Sequence, residues 1–255
     1  MEDKKNQYAI ASVENAFTLL ERIVKSRAEV SAIELYALTG IPKATIHKEL
    51  QTLCLLGYIE QNPKTNRYYT TMKILQLGYY CINRRGFFDQ YHPYVKLYMK
   101  KFGCPVSLSI YSGEKSITVF ATTNNERLEN VNMTGKTLPI YLTASGRLLL
   151  ASMDDARARL LLENMPLIPE TEYTICDVDL LMQEIGKARR GGYCKLSQEI
   201  SYGFDMYAFP LRDTVGGLIG SMTLVLRTDA AEQVMQPDVI AGIQEMLDKV
   251  RLSSD

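Results

Sequence analysis

Apolar residues recur at helical spacing through the first third of the chain. The first predicted helix follows Ser12, and its apolar stripe consists of Val13, Phe17, Leu20, Ile23 and Val24. A second helix is predicted to begin near Ala32, because Ser31 and Glu34 have the S-x-x-E spacing of a capping box. The residues that this helix is expected to bury are Ile33, Leu35 and Leu38.

A tight turn is predicted between the second helix and a third. Gly40 can take the positive φ that ends a helix, and Pro42 fits the first turn of the next one. The apolar positions of the third helix that are expected to point inward are Ile46, Leu50, Leu53 and, as a further candidate, Leu56. Two helices joined in this way form a helix-turn-helix, whose second helix can enter the major groove of DNA.

A short hairpin is predicted directly after the third helix. Residues 57–61 and 68–70 read as its strands, and residues 62–67 between them are rich in turn formers. Lys64 and Arg67 place two cations at the tip, which can reach a DNA backbone or minor groove. An ordinary solvated hairpin is the alternative, but a hairpin in this position makes the module a winged helix-turn-helix.

The polar face of the third helix supplies the candidate DNA contacts. Lys43, His47 and Gln51 lie four residues apart on one ridge suited to a major groove, whereas Thr45 and Lys48 suit phosphate. A solvated helix face is the alternative, and the capped helix and glycine turn favour DNA. The full set of candidate DNA-binding residues is Ser31, Lys43, Ala44, Thr45, His47, Lys48, Gln51, Lys64, Asn66 and Arg67.

Residues 72–86 are predicted to form a linker helix with one apolar side. This side could pack against a second copy of the chain or, equally, against the protein's own domains. The formal net charge is zero, but residues 1–85 contain 12 Lys and Arg against 8 Asp and Glu. An electropositive front suits a chain that meets nucleic acid with one end.

The rear of the chain changes to strand-like alternation and then to longer helices. Strands are predicted at 106–112, 116–120, 206–211 and 218–226, and helices at about 144–163, 177–191 and 237–252. Plausible helix starts are Asp154, Asp177 and Gln236-Pro237. Separate hairpins and helices predict an α+β fold with an antiparallel sheet. The predicted domains are therefore 1–71, a linker helix at 72–86, and 87–255.

Composition excludes several classes of protein. No apolar run approaches the roughly 18 residues of a membrane-spanning helix, and the start of the chain does not resemble a signal peptide. The five cysteines are scattered without a CxxC pair, and only two histidines are present. We therefore expect a cytoplasmic protein with reduced thiols, with no membrane association, no disulfide framework, no metal and no cofactor.

Residues 12–85 resemble the DNA-binding domain of the IclR family of bacterial regulators. The resemblance rests on SVENAFTLLERI, on LTGIPKATIHKELQTLCLLGYIEQNPKTNRYYT and on KILQLG, with a small departure at residues 68–71. LPIYLTASGR resembles the family's T-A-x-G-K loop, with Arg147 in place of lysine, and residues 191–203 match a second stretch. The resemblance implies a GAF/PAS-like effector domain, double-stranded operator DNA and a small-molecule effector as partners, and a homodimer or homotetramer.

The loop that enters the helix at residue 144 is the candidate effector site. Thr143 would cap this helix, Ala144 and Gly146 would let a ligand approach the backbone, and a helix N-terminus suits a carboxylate. The resemblance adds Met206, Thr223 and Val225, although core packing is the alternative for Met206 and Val225. The full set of candidate effector-binding residues is Ser107, Ser109, Leu142, Thr143, Ala144, Ser145, Gly146, Leu196, Met206, Thr223 and Val225.

Three functions compete for this sequence. The first is a ligand-responsive DNA-binding regulator that controls a catabolic operon in response to a sugar acid, keto acid or aromatic acid. The second is an enzyme acting on such an acid, but His47 and His92 are predicted outside the rear core, and no GxSxG or glycine-rich phosphate loop is present. We therefore predict no catalytic residues. The third is a protein-docking module. The cationic helix face with Lys43 and Lys48 argues against this function.

Overall fold

The computed structural model describes residues 8–83, 87–122, 135, 138–213 and 215–250. The chain divides into two compact units, with the boundary between Cys81 and Ile82. The first, called here the front unit, contains α1 (Ala11–Lys25), α2 (Ala32–Thr39), α3 (Lys43–Leu55), β1 (Ile59–Gln61), β2 (Tyr68–Thr70) and most of α4 (Lys73–Asn83). These elements form the predicted winged helix-turn-helix followed by a helix.

Local chemistry fixes the helix-turn-helix where the sequence predicts it. Ser31 Oγ accepts from the Glu34 N–H at 3.2 Å, and Glu34 Oε2 accepts from the Ser31 N–H at 2.8 Å, which confirms the capping box. Gly40 ends α2 with φ at +70°. Ile46, Leu50 and Leu53 of α3 are buried against the other helices. The orientation of α3 is thus set by its apolar side.

Several burial predictions for the front unit are wrong. The predicted core residues that are exposed instead are Val13, Phe17, Val24, Ile33, Leu38 and Leu56. The core is small, and each helix turns only a narrow stripe toward it. On α2, Ile33 lies about 200° around the helix from the buried Leu35, so both cannot face the core. On α1 that stripe contains Leu19 and Ile23.

The second unit, called here the rear unit, is built on a five-stranded antiparallel sheet. Its elements are α5 (Phe87–Phe102), β3 (Val106–Ser112), β4 (Lys115–Ala121), α6 (Ala144–Ala151), α7 (Asp155–Glu163), α8 (Val178–Gly191), β5 (Cys194–Ser197), β6 (Phe204–Arg212), β7 (Leu218–Arg227), α9 (Thr228–Val234) and α10 (Pro237–Lys249). The strand order is β4-β3-β7-β6-β5. This arrangement confirms the predicted α+β class with an antiparallel sheet.

The strands and long helices of the rear unit follow the prediction, and three elements were missed. The missed elements are α5, β5 and α9. Helix α5 contains Pro93, which in the sequence indicates a helix break, and β5 and α9 are only 4 and 7 residues long. The predicted helix at 144–163 is divided, because Asp154 caps α7 through the Arg157 N–H at 2.9 Å. His92 on α5 is half-buried and packs edge-on against the partly buried Phe120.

The two faces of the rear sheet are covered by different helices. Tyr207, Phe209 and Leu224 belong to one core cluster with residues of α5 and α10. The opposite face carries small residues such as Ala208, which packs with residues of α6 and α8. Alternation along β3 and β7 turns Ser107, Ser109 and Thr223 toward α6, and these residues line a cavity on that face together with apolar side chains. No helix in the described ranges is long and apolar enough to cross a membrane.

Candidate DNA-binding surface and effector cavity

The face of α3 that is turned away from the front core is cationic. Helix α3 begins at Lys43 directly after Pro42, and Lys43, His47, Lys48 and Gln51 are all exposed. Ala44 is also exposed and Thr45 is half-buried. The structure therefore brings the six predicted α3 residues onto one accessible helix. A cationic ridge of this size can meet the phosphates and base edges of a major groove.

The wing presents one of its two predicted cations freely and ties down the other. Lys64 is exposed at the turn between β1 and β2, next to Asn66, whose φ is +56°. Arg67 points instead toward α2, where its Nη2 lies 2.6 Å from both carboxylate oxygens of Glu34. Its Nε donates to the Glu29 carbonyl at 2.9 Å. We therefore correct the sequence interpretation of Arg67 as a free cation at the tip.

Glu34 serves two partners at once. It accepts from the Ser31 N–H and hydroxyl at 2.8 and 3.0 Å and also pairs with Arg67. The hydrogen bond from the Ser31 backbone, followed by that from Arg67, lowers the pKa of Glu34 from 4.5 to about 2. The Ser31 hydroxyl, predicted as a DNA contact, is thereby engaged in capping α2.

Lys73 joins the start of α4 to the end of α3, a contact that the sequence analysis missed. Its Nζ donates to the Leu56 carbonyl at 2.6 Å and lies 4.7 Å from the centroid of the Tyr58 ring. The Thr71 hydroxyl donates to the Gly57 carbonyl at 2.6 Å. A cation at a helix C-terminus satisfies orphan carbonyls and the helix dipole. The beginning of α4 is therefore fixed to the proposed DNA-reading helix.

A cavity of about 270 Å³ lies between α6 and the rear sheet. Its lining includes eight serine and threonine residues, and no charged side chain is present among the described lining residues. Eight of the predicted effector-binding residues line it: Ser107, Ser109, Thr143, Ala144, Ser145, Met206, Thr223 and Val225. The lining residues that the sequence did not indicate lie in β4 and just after it, in the loop before β6 and at the start of β3: Thr118, Ala121, Thr122, Ile200, Ser201, Pro105 and Val106.

Three predicted effector-binding residues lie outside the cavity lining. Leu142 is buried with Ile140 and Tyr141 in a core cluster beside α7 and α8, and Leu196 packs with Leu148 of α6. Gly146 faces neither ligand nor solvent: a Cβ atom there would lie 2.3 Å from the Ile140 carbonyl oxygen. The missing side chain of Gly146 therefore admits the protein's own backbone and not a ligand.

The N-terminus of α6 opens onto the cavity beside an unused hydroxyl. Thr143 caps the helix, since its Oγ1 accepts from the Gly146 N–H at 2.9 Å. Thr223 is 7% exposed, and its hydroxyl has no hydrogen-bond partner within the described part of the chain. A hydroxyl of this kind in a cavity lining can form a hydrogen bond with a ligand or a water molecule.

Ser145 lines the cavity and also holds its wall together. Its Oγ lies 2.7 Å from Ser116 Oγ and accepts from Ser221 Oγ at 2.7 Å. Its carbonyl accepts from the Tyr111 hydroxyl at 2.7 Å. These contacts join α6 to β3, β4 and β7, so Ser145 is a structural residue as well as a lining residue.

A buried ion pair connects the two segments that flank the cavity. Arg147 on α6 is fully buried, and its Nη1 donates to Glu199 Oε1 at 2.9 Å while Nη2 pairs with Glu199 Oε2. Its Nε donates to the Tyr141 carbonyl at 2.7 Å. Arg147, which stands in place of the family's lysine, is thus paired with an acidic neighbour. The pair holds α6 beside the loop that supplies Ile200 and Ser201 to the cavity.

The cavity has the chemistry of a binding site. No histidine, carboxylate or thiol belongs to its lining in the described ranges, so a hydroxyl there has no adjacent general base. Burial raises the pKa of the nearby Tyr111 hydroxyl to about 12 and that of the Cys194 thiol to about 12, so both groups stay protonated at neutral pH. The described residues also contain no cluster of three or more potential metal ligands.

A winged helix-turn-helix with a cationic helix, followed by a unit with a ligand cavity, defines a ligand-responsive DNA-binding transcriptional regulator. Comparison with known domains agrees: residues 12–63 match the IclR helix-turn-helix domain, and residues 80–251 match the domain described as bacterial transcriptional regulator IclR C-terminal. The chain belongs to the IclR family of bacterial transcriptional regulators. This confirms the resemblance drawn from the sequence.

Individual relatives cover nearly the whole chain. The HTH-type transcriptional regulator XynR of Escherichia coli K12 is 26% identical over 96% of this chain and 95% of its own length. The Pca regulon regulatory protein of Pseudomonas putida is 26% identical over 93% and 83%. Among solved structures, an IclR homologue from Microbacterium hydrocarbonoxydans complexed with 4-hydroxybenzoate superimposes with a TM-score of 0.78 at 18% identity, covering 94% of this chain and 97% of that one. These relatives are regulators, which gives no support to the enzyme interpretation.

Proposed function

We propose that this regulator binds a double-stranded operator through the exposed face of α3 and the Lys64 wing, and that it controls a catabolic operon in the cytoplasm. Support comes from the cationic face of α3 and from relatives such as the Pca regulon regulatory protein. A homodimer or homotetramer would present two or more such helices to repeated half-sites. The division into 1–71, 72–86 and 87–255 then assigns reading, linking and sensing to successive segments.

The proposed effector is a small carboxylate. The single observation that supports this most directly is the cavity at the N-terminus of α6, where the hydroxyl of Thr223 has no hydrogen-bond partner among the described residues. The helix N-terminus offers backbone N–H groups and a positive dipole to a carboxylate. The hydroxyls of the lining suit a sugar acid, whereas its apolar side chains, among them Ile200, Met206 and Val225, suit an aromatic ring. Sugar acids, keto acids and aromatic acids are therefore the classes to compare.

Ligand binding can be tested by thermal unfolding with sugar acids, keto acids and aromatic acids. A ligand that binds only the folded state adds about 2.7 kcal/mol at 100 times its dissociation constant, so the melting temperature should rise for the matching class. Thr223→Val should lose most of this rise without changing the unliganded melting temperature. Thr70→Val, on β2 of the front unit, is the matched control. No rise with any acid, or an unchanged rise in Thr223→Val, would contradict the proposed site.

DNA binding can be tested by gel retardation of the full chain on its own upstream DNA. We expect retardation at moderate salt that weakens steeply as salt increases, because phosphate contacts release condensed counterions. The effector identified by thermal unfolding should change the retardation. Absence of any retardation at moderate salt would contradict the proposed role of α3, and sedimentation analysis of the same sample would decide between dimer and tetramer.

A further inference from the structure

We infer that Tyr36 of α2 is a positioning residue for DNA binding, because its ring holds the ammonium group of Lys43 at the start of α3. The Lys43 Nζ atom lies 5.4 Å from the centroid of the Tyr36 ring, within the range of a cation–π contact. The inference depends on the proposed role of Lys43 as a DNA contact. It adds a residue that lies outside the predicted DNA-binding set.

The backbone around this contact is firmly placed. Tyr36 lies in the last turn of α2, and its carbonyl accepts from the Gly40 N–H at 2.9 Å. Lys43 is the first residue of α3, three residues beyond Gly40. The turn of the helix-turn-helix therefore sets the distance between the aromatic ring and the lysine stem. A flexible lysine side chain gains a preferred direction from such a neighbour.

The contact also preserves the charge that phosphate would recognise. Arg67 in the same unit is paired with the carboxylate of Glu34 at 2.6 Å, which neutralises it. In the described ranges Lys43 has no carboxylate partner, and an aromatic ring leaves the full positive charge available. Tyr36 is 43% exposed beside this cation. A ring in this position can orient Lys43 toward the DNA surface without competing with phosphate.

Lys48 on the same helix provides a useful contrast. It is exposed, and no aromatic ring is placed over its ammonium group among the described residues. If Lys43 is held in position and Lys48 is free, Lys43 should lose less conformational freedom on binding DNA. We therefore expect Lys43→Ala to weaken DNA binding more than Lys48→Ala does.

A double-mutant cycle tests the inference with the full chain and its upstream DNA. Fluorescence anisotropy titrations at 50–200 mM salt would compare wild type with Tyr36→Leu, Tyr36→Phe, Lys43→Ala and Tyr36→Leu/Lys43→Ala. An exposed cation–π contact can favour one conformation of Lys43 by a factor of about 2–5, so Tyr36→Leu should weaken DNA binding by up to that factor. Tyr36→Phe should retain wild-type affinity, since it keeps the ring.

Two further readouts separate positioning from a general structural role. The double variant should bind like Lys43→Ala alone, because the ring acts through the lysine. Lys43→Ala should reduce the slope of log affinity against log salt by about 0.9 where Lys43 meets a phosphate, and should relax sequence specificity where it meets a base edge; Tyr36→Leu should leave the slope near that of wild type. Tyr173→Leu removes an exposed tyrosine from the rear unit and should bind like wild type.

Any of three results would overturn the inference. Tyr36→Leu could bind with wild-type affinity, the double variant could lose affinity by the product of the two single losses, or Tyr36→Phe could bind as weakly as Tyr36→Leu. Urea unfolding of each variant identifies a loss caused by misfolding, and such a loss in Tyr36→Leu would also overturn it. If wild type itself fails to bind, the proposed function fails first, so the two failures are distinguishable.

Discussion

The exposed face of α3 and the cavity under α6 are built in different ways. The α3 face comes from one helix, and its polar side chains lie in solvent on the side opposite Ile46, Leu50 and Leu53. The cavity takes its lining from strands β3, β4, β6 and β7, from the loop before β6 and from α6, and its lining residues are buried or half-buried. Residues of the first surface can therefore change without disturbing the fold, whereas those of the second serve both binding and packing.

Two arginine–glutamate pairs show the same difference in one kind of chemistry. Arg67 and Glu34 are 37% and 48% exposed, and water screens their attraction. Arg147 and Glu199 are 0% and 6% exposed, so each charge depends on the other for compensation. The Arg67–Glu34 pair therefore helps to orient the wing. The Arg147–Glu199 pair is required to hold in place the two segments that flank the cavity.

The largest expected effect follows from breaking the buried pair. Arg147→Met should reduce the free energy of unfolding of the rear unit by about 3–5 kcal/mol, because it leaves the Glu199 carboxylate buried without its partner. Arg147→Met/Glu199→Gln should recover part of this loss. Urea unfolding measures it, with Arg159→Met, which breaks an exposed pair with Asp179, as a near-neutral control. Equal effects of the two single variants would remove the contrast between buried and exposed pairs.

Gly146→Ala should have the next largest effect. The added Cβ would lie 2.3 Å from a backbone oxygen of Ile140, so α6 must shift away, at a cost of about 1–3 kcal/mol. Gly242→Ala on α10, where a Cβ meets nothing within 4 Å, is the matched helical glycine and should stabilise slightly. Thermal unfolding of both variants checks the prediction. A Gly146→Ala protein as stable as wild type would show that the cavity wall is more tolerant than its packing indicates.

Lys48→Ala tests the exposed region. It should weaken DNA binding and reduce the salt slope by about 0.9 if Lys48 contacts one phosphate, with no change in urea unfolding. Lys25→Ala on α1, whose lysine pairs with Glu21 at 2.9 Å, should leave DNA binding unchanged. A loss of folding stability in Lys48→Ala with normal DNA binding would reverse the comparison between the two regions.

The smallest expected effect concerns pH. The folded pKa of Glu34, about 2, is below its ordinary value of 4.5, so its contribution to stability is fully present above pH 4.5 and is lost as pH falls toward 2. Glu34→Gln should therefore flatten the stability of the front unit between pH 4.5 and 2. Circular dichroism during acid titration measures this. Superimposable curves for wild type and variant would show that the Arg67 and Ser31 contacts do not hold the wing in solution.

The elements that depend on local chemistry could be predicted, and those that depend on packing could not. Ser31, Glu34 and Gly40 fixed the limits of α2 from their own hydrogen bonds and backbone freedom. Helix α5 was missed because Pro93 reads as a break, although its apolar side completes the rear core. Exposure of Ile33 was also missed, since helical spacing alone does not say which of two adjacent stripes meets the core.

The candidate sites divide in the same way. Pattern and resemblance together proposed Thr143, Ser145 and Thr223 for the cavity, and the structure places all three in its lining. They also proposed Gly146, which the structure places against the backbone of Ile140. The sequence cannot show whether a small residue makes room for a ligand or for the chain itself, because both need the same missing side chain.

The sequence by itself determined the family, the winged helix-turn-helix and the candidate reading face, because these follow from local spacing, capping and helical periodicity. Only the tertiary structure decided that Arg67 pairs with Glu34, that Arg147 pairs with Glu199, and that the Tyr36 ring meets Lys43. Residues distant in the chain, or on different helices, meet only after the units fold. Whether a charge stays free for a partner or is consumed by a neighbour is then a property of their packing.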